Sequence, residues 1–208
     1  MAGFATIALI YIMNTSLDSK ALAQLFTSAR TFNRFTNSPV TDELIHQLYE
    51  VFKWGPTSMN SQPARLVFLR SAAAKSRLKG ALSASNVEKT LLAPVCVIVA
   101  QDTNFQSHIT KQFPAYDAKP MFDSNPVLAE LTAFRGSTLQ GAYLILAARS
   151  LGLDCGPMSG FNNAALDQEF FPDGRWKSNF LVNMGFGDAS GNHPRGPRLD
   201  FDEVCKVL

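Results

Sequence analysis

The chain has 208 residues, of which 46% are hydrophobic and 17% charged, and its net charge is +2. That length suits one well-cored domain and is short for two, and the composition excludes a disordered chain. The small net charge, with basic residues scattered along the chain, excludes the broad electrostatic footprint of a nucleic-acid binder.

The amino terminus opens on FATIALIYIM, Phe4 to Met13. It resembles the apolar part of a signal peptide but lacks a positive segment before it and a clear A-x-A site after it. It is too short to span a bilayer. Two readings compete: an extra amino-terminal segment, or a natural start at Met13. The second is favoured, so residues 1–12 are set apart and residues 13–208 are expected to form one domain. A cytoplasmic protein without membrane attachment is expected.

The helical spacing of Ala21, Leu22, Leu25 and Phe26 predicts a first helix. VTDELIHQLYEVFKWG predicts a stronger one. Thr41 is its expected N-cap, Asp42 and Glu43 suit the positive dipole end, and Val40 is placed to staple onto Ile45. Gly55 and Pro56 are expected to stop it. ARLVFLR reads as a strand, Ala72 to Leu82 as a modest helix and VEKTLLA as a short one. PVCVIVAQD is a continuous apolar run, as expected of a strand buried on both faces.

Gln101 to Asn125 has little periodicity but several aromatics, Phe105, Phe113, Tyr116 and Phe122. It is either a surface excursion with its own small cluster or a lid over a pocket. PVLAELTAFRGSTLQGAYLILAARSLGL predicts a long central helix packed on several sides. SNFLVNMGFGD reads as a strand, and RLDFDEVCKVL as a short strand or helix. Without a regular βαβ repeat, the class is α+β.

Cys96, Cys155 and Cys205 are odd in number and far apart, so a reducing compartment fits better than a disulfide framework. His46, His108 and His193 stand alone, and no metal site is expected. No G-x-S-x-G, H-E-x-x-H, P-loop or G-x-G-x-x-G after a strand is present. What remains is five polar or glycine-rich punctuations: SARTFNRF, GPTSMNSQP, SNVEK, CGPMSGF and HPRGPRL. Together they offer phosphate partners (Arg30, Arg198), amides (Asn33, Asn60, Asn86) and a bare backbone loop from Gly156 to Gly160. That inventory suits a flat cofactor carrying a phosphate. Taken singly, Arg30 reads equally as a helix-dipole partner, Asn86 and Lys89 as a cap and an exposed charge, and Arg195 and Arg198 as solvated loop residues.

In this order and spacing the five segments resemble the nitroreductase family of FMN-dependent oxidoreductases. ARTFNRF resembles the R-R-S-x-R-x-F box, GPTSMNSQP the P-S-S-x-N-x-Q-P loop, and PRGPRL the terminal phosphate clamp. Ala29 departs from that first box where an arginine is usual, and Asn33 where a lysine or arginine is usual. KWGPTS, ALSASN, TAFRGSTLQGAYLI and LGLDCGPMSGF resemble most closely the malonic semialdehyde reductases of pyrimidine degradation.

The resemblance implies an α+β fold with a mixed β-sheet flanked by helices, in an interlocked homodimer with FMN at its interface. It implies that Arg30, Thr31, Arg195 and Arg198 meet the phosphate, with Asn33 near the flavin N1–O2 edge. Asn86 and Lys89 would meet the pyrimidine end, and Pro157, Met158, Ser159 and Gly160 would run along the ring. Pro56, Thr57, Ser58 and Asn60 would come from the other subunit. It further implies ping-pong hydride transfer through flavin N5, from NADH or NADPH to malonic semialdehyde, giving 3-hydroxypropanoate. No side chain need act as acid or base, and Arg135 is the candidate partner for the substrate carboxylate. A broad nitroreductase or quinone reductase, and a flavin-binding protein without turnover, are the alternatives.

Overall fold

The computed structural model describes residues 15–208, so the readings of Phe4–Met13 and of the start lie outside the described residues. Helix α1 (Ser19–Leu22) is capped by Asp18, whose carboxylate accepts from the Ala21 amide at 2.7 Å, and it widens into a π turn over Ala23–Thr27. Helix α2 (Asp42–Phe52) starts as expected: Thr41 Oγ1 accepts from the Leu44 amide, and Val40 and Ile45 pack in one cluster. It ends at Phe52, short of Gly55. The bare Gly55 lies against the Tyr143 ring, and a Cβ there would fall 2.7 Å from that ring.

Strand β1 (Ala64–Leu69) follows. Helix α3 (Ala72–Ser76) is shorter than the helix expected to Leu82. The chain closes instead into successive turns, Leu78 N to Lys75 O and Ala81 N to Leu78 O. Helix α4 (Ala84–Leu92) begins earlier than expected, and strand β2 (Val95–Asp102) is buried along its whole length. Helices α5 (Ile109–Gln112) and α6 (Lys119–Asp123) fold the aromatic stretch into a body with its own core, built on Phe105, Ile109 and Phe122. Helix α7 (Pro126–Ser150) is the long central helix.

Strand β3 (Asp154–Met158) lies where a bare loop was expected. It is an edge strand, which is where a sheet tolerates the missing amide of Pro157. Helix α8 (Asn163–Phe170), strand β4 (Trp176–Gly185) and the short helix α9 (Phe201–Val204) complete the chain. The sheet runs β1-β2-β4-β3 with all neighbours antiparallel. The expected mixed sheet is thus an antiparallel one, and among the described residues parallel pairing occurs only at the isolated bridge Thr31 to Cys155.

Alternation along β2 divides the core. Val95, Val97 and Val99 face α2 and α7, while Cys96, Ile98 and Ala100 face Leu78, Leu82 and Leu166 on the other side. Helix α7 reaches the sheet through small residues. Gly141 lies against Phe180 and Gly136 against Pro63, closer than a Cβ would allow. Leu144 is fully buried in the core as well, while Val127, Leu131, Phe134, Leu139 and Tyr143 are exposed.

At the other face of β2, Asp102 is 1% exposed and holds Arg65 at 2.6 Å and Arg175 at 2.5 Å. Burial by itself pushes the Asp102 carboxyl up. The Arg175 and Asn104 hydrogen bonds and the Arg65 charge outweigh it and hold the group below the usual carboxylate range. No helix among the described residues is long and apolar enough to cross a membrane.

Candidate functional site

An extended segment after α1 carries the first set of expected site residues. Phe32 N donates to Cys155 O at 3.0 Å, which lays Thr31–Phe32 against the outer edge of β3, while Phe35 bridges Gly187 just past β4. The carboxy-terminal stretch then crosses this segment. Arg195 Nη2 donates to Ala29 O at 2.9 Å, Arg30 donates to His193 O, and Asn33 Nδ2 donates to Gly191 O at 3.3 Å. Two pieces of chain at opposite ends of the sequence are therefore laced together by their own arginines.

Between them lies a cavity of about 570 Å³ whose lining includes Arg30, Thr31, Asn33, Lys89, Arg195 and Arg198. Arg149 and His193 line it as well, and among the described residues no carboxylate does. Among the described residues, none of its five cationic side chains is paired with an acid. Like charges gathered this way repel one another, and an anion entering the cavity removes that repulsion. The guanidiniums are held by backbone carbonyls, which orient them without neutralising them. Arg198 Nη1, for instance, donates to Gly196 O and Pro197 O at 3.0 Å each. A smaller cavity of about 360 Å³ shares Asn33, Lys89 and His193.

Helix α4 connects this cavity to the expected ring-side loop. Lys89 lies three residues after Asn86 and so shares its face of the helix. Asn86 is buried, and its Nδ2 donates to Gly160 O at 2.9 Å. The Ser83 amide donates to the same carbonyl at 3.0 Å. Behind the loop, Asn183 Nδ2 donates to Thr90 Oγ1 at 3.3 Å, and Thr90 Oγ1 donates to Met158 Sδ at 3.6 Å. Met158 is itself buried, Pro157 half-buried and Ser159 exposed. Burial pushes both the Cys96 and Cys155 thiols up to about 12, which keeps them protonated and unreactive at neutral pH.

The polar loop after α2 lies elsewhere. Met59, Asn60 and Gln62 have φ of 50°, 48° and 43°, left-handed conformations that cost about 1–2 kcal/mol each for residues with a Cβ. Side chains hold the loop in this shape. Thr57 Oγ1 accepts from the Gln62 amide at 3.1 Å, and Asn60 Nδ2 donates to Gln112 O at 3.0 Å. Met59 packs onto the aromatic cluster, so the excursion buttresses the loop. A Cβ at Gly136 would lie 3.7 Å from Thr57. Arg149 stands 13 residues further along the same continuous helix, roughly 20 Å at the α-helical rise. Pro56, Thr57, Ser58 and Asn60 are therefore remote from the cationic cavity of their own chain. Arg135 is exposed one residue before Gly136 on α7, and likewise lies far along the helix from Arg149.

Sequence reasoning overlooked Arg149 and Asn183 and weighed His193 only as a metal ligand. A basic residue in the last turn of a helix reads as a dipole partner, and that ordinary reading hid Arg149.

Comparison with known proteins adds the following. The model of the Nitroreductase family matches residues 27–186. A relative from Rhodopseudomonas palustris, provisionally named NADH dehydrogenase/NAD(P)H nitroreductase, is 57% identical over 196 residues, covering 94% of this chain and 100% of its own. One of the same name from Polynucleobacter asymbioticus is 53% identical over 196 residues, with the same coverage. A provisionally named nitroreductase from Exiguobacterium sibiricum, solved in complex with FMN, superposes with a TM-score of 0.80 at 19% identity, covering 93% of this chain and 99% of that one. The family model covers most of the chain, ending before His193, Arg195 and Arg198, and the chain belongs to the Nitroreductase family.

Proposed function

We propose that the chain is an FMN-dependent NAD(P)H oxidoreductase reducing malonic semialdehyde to 3-hydroxypropanoate. One observation carries the flavin reading: a carboxylate-free cluster of cations beside a loop fixed by Asn86. The residues present fit the cofactor. Paired guanidiniums suit a phosphate dianion, and Asn86, admitted by the bare Gly160, fixes beside them the loop that would run along the ring. The family relative solved with FMN supports the same cofactor.

Arg30, Thr31, Arg195 and Arg198 hold the phosphate in this reading. Asn33, Asn86 and Lys89 serve the pyrimidine end, and Pro157, Met158, Ser159 and Gly160 the ring. Bound there, FMN would carry hydride from NADH or NADPH to the substrate through N5. Lys89 would set its ammonium beside the ring, where negative charge develops on reduction. The protein supplies position and electrostatics, which agrees with a chain that has no catalytic triad motif. Arg135, free of any ion pair among the described residues, takes the substrate carboxylate.

A second copy of the chain completes the site. Val127 is 77% exposed and Phe134 51% exposed, in a stripe that continues through Leu139 to Tyr143. Leu199, Phe201 and Val204 of the carboxy-terminal arm are exposed too. Two such apolar surfaces, and a strained polar loop remote from its own cavity, support an interlocked homodimer in which Pro56–Asn60 meet the partner's flavin and Arg135 the substrate beside it.

A broad NAD(P)H nitroreductase or quinone reductase is the second reading, favoured by the names of the relatives. A flavin-binding protein without turnover is the third. Purified protein is expected to be yellow and to bleach anaerobically on adding NADH or NADPH; persistent colour sinks both reductase readings. A higher kcat/KM for malonic semialdehyde than for a nitroaromatic supports the first reading, and the reverse order the second.

A further inference from the structure

Arg149 enters the cationic cavity from the last turn of α7, whereas the other arginines come from extended segments. Its Nη1 donates to Leu25 O at 2.9 Å, within the π turn that ends α1. Gln24 Nε2 returns a bond to Arg149 O at 2.7 Å. The side chain is thus fixed by a neutral carbonyl, its charge is whole, and most of its five N–H donors remain uncommitted. Arg65 and Arg175 are the contrast, since both face the buried carboxylate of Asp102. Asp154, the acid nearest in sequence, accepts from the Gly187 amide at 3.0 Å; it feels the Arg149 charge but makes no ion pair with it among the described residues. The same π turn carries Phe26 and leads into Ala29 and Arg30, all of which line the cavity.

We propose that Arg149 is a further phosphate ligand of the cofactor, and that through Leu25 it clamps the amino-terminal turn onto the cavity when phosphate is bound. The proposal rests on the FMN reading above. A guanidinium held by one edge and open at the other offers a planar fork to phosphate with little ordering left to do. A purely structural role, tying the end of α7 to α1, predicts a different outcome, because it is indifferent to whether the flavin carries a phosphate.

Riboflavin, which has the ring and ribityl chain but no phosphate, separates the two. Flavin-stripped full-length protein is titrated with FMN and with riboflavin, following quenching of flavin fluorescence. Arg149→Met is expected to weaken FMN binding about ten- to a hundredfold, as for one charge-assisted contact, and to leave riboflavin binding unchanged. Arg149→Lys keeps the charge without the fork and is expected to lose less FMN affinity, again with riboflavin unaffected; it carries the test if Arg149→Met does not fold. In wild type, hydrogen exchange at residues 19–27 is expected to slow on adding FMN but not riboflavin. Equal losses for both flavins, or no loss for either, overturn the proposal. Wild-type protein that binds neither flavin overturns the cofactor reading itself, whatever Arg149 does.

Discussion

Asn86 Nδ2 sits 2.9 Å from Gly160 O, and the space a Cβ would need at Gly160 is the space that amide occupies. The two residues are 74 positions apart, and each explains the other. The glycine admits the amide, and the amide fixes the loop. Asn86→Ala should leave one of two donors to that carbonyl and let the loop relax. We expect about a tenfold loss in flavin affinity and a lower Tm, read by fluorescence titration and thermal melts. Asn86→Asp should be worse, because it sets a carboxylate against a carbonyl oxygen. Equal flavin affinity in Asn86→Ala would remove Asn86 from the site.

Lys89 lines both cavities and has no acidic partner among the described residues. If its charge favours the reduced ring, Lys89→Met lowers the two-electron potential by roughly 30–60 mV, equivalent to about 1.4–2.8 kcal/mol. Spectroscopic titration against a reference dye measures it. An unchanged potential would leave Lys89 as a phosphate-side cation only.

Arg135 is assigned to the substrate, not to the flavin. Arg135→Ala should raise KM for malonic semialdehyde and spare flavin reduction by NAD(P)H, since removal of a ground-state contact shows in KM. Steady-state and stopped-flow rates separate the two effects, and an unaltered KM disposes of the assignment.

Phe134 stands in the exposed stripe of α7. Phe134→Glu should bury a charge at the proposed dimer interface and shift the protein to monomer in sedimentation experiments, with loss of flavin. A wild-type monomer would sink the interlocked arrangement, and with it the role of Thr57, Ser58 and Asn60.

Asp102 tests stability and not function. Its carboxyl is held below the usual range, so its contribution is present above the unfolded carboxylate pKa and is lost as pH falls through the folded one. Asp102→Asn should cost about 2 kcal/mol in urea unfolding at pH 7, less than for a dry pair because Arg65 and Arg175 reach solvent. The gap between variant and wild type should narrow below about pH 4. A gap independent of pH would assign the effect to packing.

Local signals were legible wherever neighbours in sequence decide the structure. Thr41 and Val40 start α2 because a cap and a staple involve only a few residues. The apolar run at Val95–Ala100 spoke for a strand buried on both faces, and it is one. Strand β3 was not legible, because Gly156 and Pro157 argue for a loop and only pairing with β4 draws them into the sheet. Helix α3 stopped early for the converse reason, as turns tightened by Lys75 and Leu78 carbonyls replaced a helix that its composition allowed.

Sequence alone determined the α+β class, the family and the residue types a phosphate-bearing cofactor needs, since these rest on local pattern and on motif order. Only the tertiary structure decided which of those residues meet. Arg30 and His193 are 163 positions apart and Ala29 and Arg195 are 166 apart, yet they lie side by side because Phe32 pairs with an edge strand and the carboxy-terminal stretch returns across it. The same long-range packing brought Arg149 into the cavity and kept Thr57, Ser58 and Asn60 out of it, some 20 Å along one rigid helix. Register between distant segments is set by burial and pairing across the whole fold, and no window of sequence contains it.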